Sequence, residues 1–176
     1  MAAQQITTPK NFDENAIVFS DVNKNNMGGK VVYLSMNGNK KITTQTPMMS
    51  APFGISTFTD DKTGVTKYSI DVSFKGKDDD PKIGLFHSVI SKIDDLMIAK
   101  GVEYSKEWFG KKMKKEIVEE FYRPLLKAAK DPTKYAPTMK LKLQNNAKGE
   151  ILVEVYDHTK NLKFKNEAID PDKRQL

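Results

Sequence analysis

The sequence of 176 residues has no cysteine and only two histidines, His87 and His158. The absence of cysteine excludes a disulfide framework and a cysteine-ligated metal site. The two histidines lie 71 positions apart, so the ligand spacing of a zinc site is missing as well. There is no run of about 18 apolar residues, and no basic segment followed by an apolar stretch at the N-terminus. We therefore expect no transmembrane helix, no secretion signal, no membrane partner and an intracellular location.

Phosphate-binding and catalytic motifs are also missing. Neither GxxxxGK[ST] nor GxGxxG occurs, and no serine lies in a nucleophile-elbow motif. Three aspartates follow one another at residues 78–80. They are explained by the helix predicted to begin there, because negative charge stabilises the N-terminus of a helix. The sequence therefore predicts a protein that is not an enzyme, with no catalytic residue, no metal site and no cofactor. A small enzyme or nuclease accessory that holds a metal at residues 78–80 is an alternative.

Positive charge is abundant and unevenly distributed along the chain. The net charge is +6 and the pI is about 9.3, which favours a polyanionic partner. Residues 100–148 hold thirteen Lys and Arg against six Asp and Glu, a net charge of +7, so the rest of the chain sums to −1. The basic excess therefore lies in one segment. A lysine-rich, solvated helical face would give the same composition.

Alternating apolar and polar residues predict antiparallel strands near both ends of the chain. Asn37 and Gly38, between two β-prone runs, are the strongest hairpin signal. The runs "TMKLKLQ" and "EILVEVYDH" predict two later strands, joined by a turn around Asn146 and Gly149. In the earlier run "VTKYSIDVSF", the alternation places four apolar residues on one face: Tyr68, Ile70, Val72 and Phe74.

Helical periodicity predicts two helices between these strands. The first begins at Asp80, an N-cap followed by proline, and is expected to end at Gly101. Its stripe of apolar residues includes Phe86, which we expect in the core, whereas Asp94 is expected to be exposed. The run "SKEWFG" is expected to be a short link. The second helix, "KKMKKEIVEEFY", has one apolar stripe at helical spacing, formed by Met113, Ile117 and Phe121, with Phe121 expected in the core.

The order of elements favours a mainly β fold with a helical insert. A small closed barrel resolves the problem of exposed sheet edges, so we predict an OB-like five-stranded antiparallel Greek-key barrel with two helices between the third and fourth strands. We expect a flexible arm at residues 1–14, a single OB-like domain at 15–165 with the helical insert at about 81–130, and a C-terminal tail at 166–176. A β-sandwich, or a flat sheet with two helices on one face, fits the same order.

Aromatic residues are interleaved with lysines in the basic segment, where "SKEWFGKKMKKE" holds the only tryptophan. Proteins that bind single-stranded nucleic acids combine a cationic groove with aromatic rings on which bases stack. Strand aromatics such as Phe53, Phe58, Tyr68 and Tyr156 are further stacking candidates, and Trp108 could instead pack in the fold. The predicted DNA-contacting residues are Lys106, Trp108, Phe109, Lys111, Lys112, Tyr122, Arg123, Lys140 and Lys142.

Four runs in this region, "SKEWFGKKM", "FYRPLLK", "KYAPTMKLKL" and "EVYD", suggest a family. Over residues 50–160 the chain resembles the single-stranded DNA-binding proteins of large nucleocytoplasmic DNA viruses, with those of algal viruses nearest. That family is similar to the OB-fold single-strand binders of podophages. The resemblance implies an OB-fold without catalysis, acting in DNA replication, recombination and repair at viral replication sites in the host cell. The resemblance carries over to nine positions of this sequence: Lys106, Trp108, Phe109, Lys111, Tyr122, Arg123, Pro124, Lys140 and Lys142.

The expected partner is single-stranded DNA, bound by phosphate neutralisation and base stacking, with RNA as an alternative. Replication proteins are further candidate partners, and a dimer is one of the oligomeric states left open. Phage binders of this type end in an acidic tail, whereas residues 154–176 here hold five acids and five bases. A different interpretation is a protein-interaction or virion structural module anchored by Trp108 and Phe109.

Overall fold

The computed structural model describes residues 6–36, 40–146 and 150–165. The predicted turn at Asn37 and Gly38, the Gly149 side of the later turn and the tail at 166–176 lie outside these residues. The fold is mixed, with about 29% strand and 27% helix. The predicted antiparallel sheets are confirmed, with helices between them in sequence, but the described strands form separate sheets and no closed barrel.

Fourteen strands and α-helices are found in the described residues, preceded by two 3-10 turns at Pro9–Asn11 and Glu14–Ala16. In chain order they are β1 (Ile17–Phe19), β2 (Asn23–Lys24), β3 (Lys30–Val31), β4 (Leu34–Met36), β5 (Lys40–Lys41), β6 (Ile55–Thr59), β7 (Thr66–Ser73), α1 (Pro81–Glu103), α2 (Ser105–Phe109), α3 (Lys115–Phe121), β8 (Leu126–Lys127), β9 (Thr138–Leu143), β10 (Glu154–Tyr156) and β11 (Leu162–Lys165). None of these helices is long and apolar enough to cross a membrane.

The chain divides into two compact units. The first, the helical unit, comprises the described parts of residues 1–48 and 76–126, with β1–β5 and α1–α3. The second, the sheet unit, comprises the described parts of residues 49–75 and 127–176, with β6, β7 and β9–β11. Strand β8 lies where the chain passes from one unit to the other.

Helix α1 begins as predicted and ends later than predicted. The Asp80 carboxylate accepts the backbone N–H of Lys82 at 2.8 Å, which satisfies one of the free donors of the first turn. The helix continues past Gly101 to Glu103. Gly101 is buried, and a Cβ at this position would lie 2.8 Å from Cγ1 of Val118 on α3. This glycine therefore permits close helix packing and does not terminate α1.

The region after α1 differs from the prediction in two respects. The expected link "SKEWFG" contains a short helix, α2, which ends at Gly110 in the left-handed conformation (φ 81°). Helix α3 begins only at Lys115 and buries Val118, whereas Phe121 is 70% exposed and Ile117 is exposed. The prediction of a core Phe121 is wrong because α3 has seven residues and packs on α1 through Val118. The core residue Phe86 was predicted correctly.

The sheet unit is built on one antiparallel sheet with the strand order β6-β7-β9-β8. Its register pairs Ile70 with Leu141 and Val72 with Met139, so the apolar residues of both strands share a face. Val72 and Met139 are buried, together with Phe74, which follows β7. A two-stranded hairpin, β10-β11, completes the described part of this unit.

Candidate nucleic-acid interface

The nine predicted contact residues divide between the two units. Lys140 and Lys142 lie on β9 in the sheet unit. The other seven lie in the helical unit: Lys106, Trp108, Phe109, Lys111, Lys112, Tyr122 and Arg123. Two surfaces are therefore described separately, one on the sheet and one around the tryptophan.

The first surface, the sheet face, is the polar side of β6, β7 and β9. Directly opposed residues of antiparallel strands point to the same side of a sheet. Three such pairs bring six side chains together: Phe58 with Lys67, Ser69 with Lys142, and Asp71 with Lys140. The sheet face therefore includes one aromatic ring, three lysines and one aspartate, together with the serines Ser56 and Ser69.

The lysines of the sheet face differ in their partners. Nζ of Lys140 lies 3.3 Å from Oδ2 of Asp71 and donates to Oγ of Ser69 at 3.4 Å. No ion pair is formed by Lys67 or Lys142 with any residue that the structure describes. These side chains give the face a net charge of +2. The ammonium groups of Lys67 and Lys142 are not held in an ion pair by any described residue, although the charge of Lys67 adds to the hydrogen bonds that lower the pKa of Asp60.

Phe58 gives the sheet face an aromatic platform. Its side chain is 63% exposed, although it lies on a hydrogen-bonded strand directly opposite Lys67. A ring held on a strand with one face in solvent can stack on a base, while the neighbouring lysine meets the phosphate. Lys67 was not among the predicted contacts, although the alternation of β7 already places it on the polar face.

The second surface, the tryptophan cleft, surrounds Trp108. The Trp108 and Tyr104 rings are stacked, with centroids 5.7 Å apart and planes at 25°. Phe19 lies 5.9 Å away and Phe109 meets the indole edge-on at 6.3 Å. Beside them opens a cleft of about 350 Å³, lined by residues 17–22 and by Lys100, Tyr104, Glu107 and Trp108. The indole is half-buried, so packing already uses part of its surface.

Of the described lysines near the tryptophan cleft, only Lys100 lines it, and the others bind elsewhere or lie on another face. Nζ of Lys100 lies 2.7 Å from Oε2 of Glu103 and 5.4 Å from the centre of the Tyr104 ring. This hydrogen bond raises the pKa of Lys100 and lowers that of Glu103, so both stay charged. Lys106 precedes Trp108 by two positions, about 200° around a helix, so it does not share the face of the indole. Lys30 donates to the backbone oxygen of Glu107 at 2.8 Å.

Lys111 and Lys112 are exposed in the loop between α2 and α3. This loop is fastened at its far end, because the N–H of Met113 donates to the buried Oγ of Ser105 at 3.2 Å. Both lysines therefore lie on the surface close in sequence to Phe109, which is 50% exposed.

Tyr122 and Arg123 lie where the chain leaves α3. The Tyr122 hydroxyl donates to Oδ1 of Asp94 at 2.7 Å, and the same carboxylate accepts the N–H groups of Leu125 and Leu126 at 2.8 and 3.0 Å. Burial, together with the Asp94 carboxylate, raises the pKa of Tyr122. The Tyr122 hydroxyl therefore serves the fold, whereas Arg123 is exposed.

Asp94 itself was expected to be exposed and is instead buried, at 7% exposure. The prediction is wrong because its partners come from the chain after α3, about thirty positions away, and helical spacing gives no signal for them. Among the residues that the structure describes, no group of three or more His, Asp or Glu could hold a metal.

Comparisons with protein-family models, with curated proteins and with solved structures found no match to this chain.

Proposed function

We propose that the protein binds single-stranded DNA without catalysis, coating exposed strands largely irrespective of base sequence. Lysines neutralise the phosphates and exposed rings stack on the bases. The biological setting that goes with this proposal comes from the sequence resemblance: replication, recombination or repair of viral DNA.

The observation that carries the proposal is the sheet face. Phe58 is mostly exposed on a rigid strand, and Lys67 and Lys142 lie on the same face without ion-pair partners in the described part of the chain. The ring of Phe58 presents apolar surface to water. Stacking on a base covers that surface and places the sugar-phosphate chain beside the lysines.

An OB-like barrel is the architecture that we propose with this function. Helices α1–α3 lie in sequence between β7 and the strands β8 and β9, so a helical insert divides the strand-forming parts of the chain. Strands β6, β7 and β9 are successive neighbours in one antiparallel sheet. An experimental structure with bound DNA tests this, because closure of the sheet would support the barrel and a flat sheet would contradict it.

The function is tested by fluorescence anisotropy of a labelled oligo-dT strand at several salt concentrations. Binding should weaken with salt, and Phe58→Ala should weaken it about 5- to 150-fold, since one stacked base contributes about 1–3 kcal/mol. Phe53→Ala is the matched control, because Phe53 is equally exposed but lies in the turn before β6. Its removal should leave affinity unchanged.

The proposal fails if wild type shows no binding at low salt, or if it binds duplex and single strands equally well and Phe58→Ala has no effect. Circular dichroism of both variants checks that each is folded. Neither substitution removes a buried side chain, so stability should change by less than about 0.5 kcal/mol.

A protein-interaction module remains a second candidate because of exposed apolar residues in the helical unit. Ile117 and Phe121 are exposed one turn apart on α3, and Phe109 is half-exposed on α2. Aromatic residues of this kind anchor many protein interfaces. Association with a protein partner that is insensitive to salt and is lost in Phe121→Ala, without DNA binding, would select this function.

A further inference from the structure

Strand β6 forms one end of the sheet β6-β7-β9-β8, so one of its edges has no neighbouring strand among the described residues. Thr57, Phe58 and Thr59 are exposed on this strand. Proteins usually protect such an edge with charged side chains, proline or a bulge, because its free backbone groups can pair with another strand. The segment Ile55–Thr59 has no charge and no proline, and it pairs with β7 without a bulge. The outer edge of β6 is therefore open to a further strand.

The hydrogen bonds to β7 determine which backbone groups point out of this edge. In an antiparallel pair, residues that bond to the partner strand alternate with residues whose N–H and C=O groups point away from it. At the end of β6, the N–H of Asp60 donates to the carbonyl oxygen of Val65 at 3.0 Å. Counting back along the register, Phe58 bonds to β7, whereas Thr57 and Thr59 direct their N–H and C=O groups to the free edge. An incoming strand thus meets a donor and an acceptor at each threonine.

We propose that this edge pairs with the same edge of a second copy of the chain. When two β6 strands lie antiparallel about a two-fold axis at Phe58, Thr57 of each copy faces Thr59 of the other, and every free donor meets an acceptor. Phe58 then lies opposite Phe58 of the other copy. Threonine pairs and aromatic pairs are favourable across antiparallel strands, and no charge at residues 57–59 repels its own copy. This fit of the edge to itself favours a second copy over the strand of another protein.

The pairing enlarges the sheet face. The sheets of the two copies become continuous, and the two Phe58 rings lie side by side with a Lys67 beyond each of them. Neighbouring strands are about 4.8 Å apart, so about 14 Å separates the two Lys67 residues. One DNA strand can lay successive bases on both rings while its phosphates meet the lysines. This consequence for DNA rests on the proposed function, whereas the pairing of β6 does not.

Sedimentation velocity in the absence of DNA tests the pairing. As the protein concentration rises, the mass of wild type should increase from 19.9 kDa toward twice this value. The double variant Thr57→Lys, Thr59→Lys should stay monomeric, because it places lysines opposite lysines across the axis. The matched double variant Thr57→Lys, Thr59→Glu places each lysine opposite a glutamate and should dimerise. Both variants replace exposed side chains on the side of the strand away from Phe58, and circular dichroism checks that each is folded.

Two results would contradict the inference. One is a wild type that is monomeric at every concentration, and the other is the same extent of dimerisation in both double variants. Anisotropy with labelled oligo-dT separates this inference from the proposed function. A monomeric wild type that binds oligo-dT overturns the β6 contact and leaves the proposed function standing. A dimer that only the double lysine variant disrupts, but that binds no oligo-dT, supports the β6 contact and refutes the proposed function.

Discussion

The sheet face and the tryptophan cleft contain similar residue types but hold them in different ways. On the sheet face, Phe58 is mostly exposed to solvent, and strand pairing fixes the side of the sheet on which Lys67 and Lys142 lie. In the cleft, Trp108 packs on Tyr104 and Phe19, and the lining lysine, Lys100, is bound to Glu103. An aromatic residue among lysines in the sequence therefore does not by itself indicate a phosphate-binding surface.

The cleft lies in the helical unit, where the buried carboxylate of Asp94 holds the chain that follows α3. Removing this carboxylate should give the largest loss of stability. Asp94→Ala removes the acceptor of three hydrogen bonds and leaves the donors of Tyr122, Leu125 and Leu126 in a partly buried place. We expect a loss of about 3 kcal/mol or more in the free energy of unfolding, measured by urea denaturation.

Two controls define the Asp94 effect. Tyr122→Phe removes one of the three hydrogen bonds and should cost about 1 kcal/mol. Asp95→Ala, at the exposed neighbouring position, should change stability by less than about 0.5 kcal/mol. Equal losses for Asp94→Ala and Asp95→Ala would show that the buried carboxylate does not anchor the chain after α3.

The close contact between α1 and α3 gives the second largest expected effect. In Gly101→Ala the new methyl group would approach Cγ1 of Val118 to 2.8 Å. Overpacking of this kind costs about 1–3 kcal/mol, and replacing a helical glycine by alanine offsets about 1 kcal/mol of it, so we expect a net loss of up to about 2 kcal/mol. Adding Val118→Ala should relieve the clash, so the double variant should be more stable than the sum of the single losses predicts. Additive losses in denaturation would refute the contact.

These packing features explain what the sequence could and could not predict. In β9 the alternation of "TMKLKL" correctly placed Met139 in the core and Lys140 and Lys142 outside, because hydrogen bonding to β7 fixes a period of two. In α3 the stripe of Met113, Ile117 and Phe121 at helical spacing led to a wrong prediction of the buried face, because so short a helix buries only Val118. The periodicity of apolar residues predicts which side chains are buried only where neighbouring elements pack against the strand or helix along its whole length.

The candidate site follows the same rule. The polar side of β7 could be assigned from alternation, but its pairing with Phe58 on β6 could not, since it depends on the register of two strands. The contact of Trp108 with Phe19 was likewise inaccessible, because Phe19 lies in a strand almost ninety positions earlier. Contacts distant in sequence leave no local signal.

The two lysines of β9 allow a finer test within the sheet face. Lys142→Gln should reduce the salt dependence of oligo-dT binding by a log–log slope of about 0.7, the value for one phosphate contact on a single strand. Lys140→Gln should reduce it less, because Asp71 already neutralises much of this ammonium charge. Asp71→Asn should release Lys140 and strengthen binding. Equal slopes for the two lysine variants in anisotropy titrations would contradict this difference.

The smallest expected effect concerns the pH dependence of the helical unit. Burial, reinforced by the positive charge of Lys77 and opposed by Asp78, lowers the pKa of His87 below its ordinary value of 6.5. The unfolded chain therefore binds this proton more tightly than the folded chain does, so stability decreases as the pH falls through 6.5 toward the folded-state pKa. In His87→Gln the urea midpoint should change less between about pH 7.5 and 5.5 than it does in wild type. Carboxylates titrate alike in both proteins, so only a change in the difference between the two curves reports on His87, and a constant difference would refute the assignment.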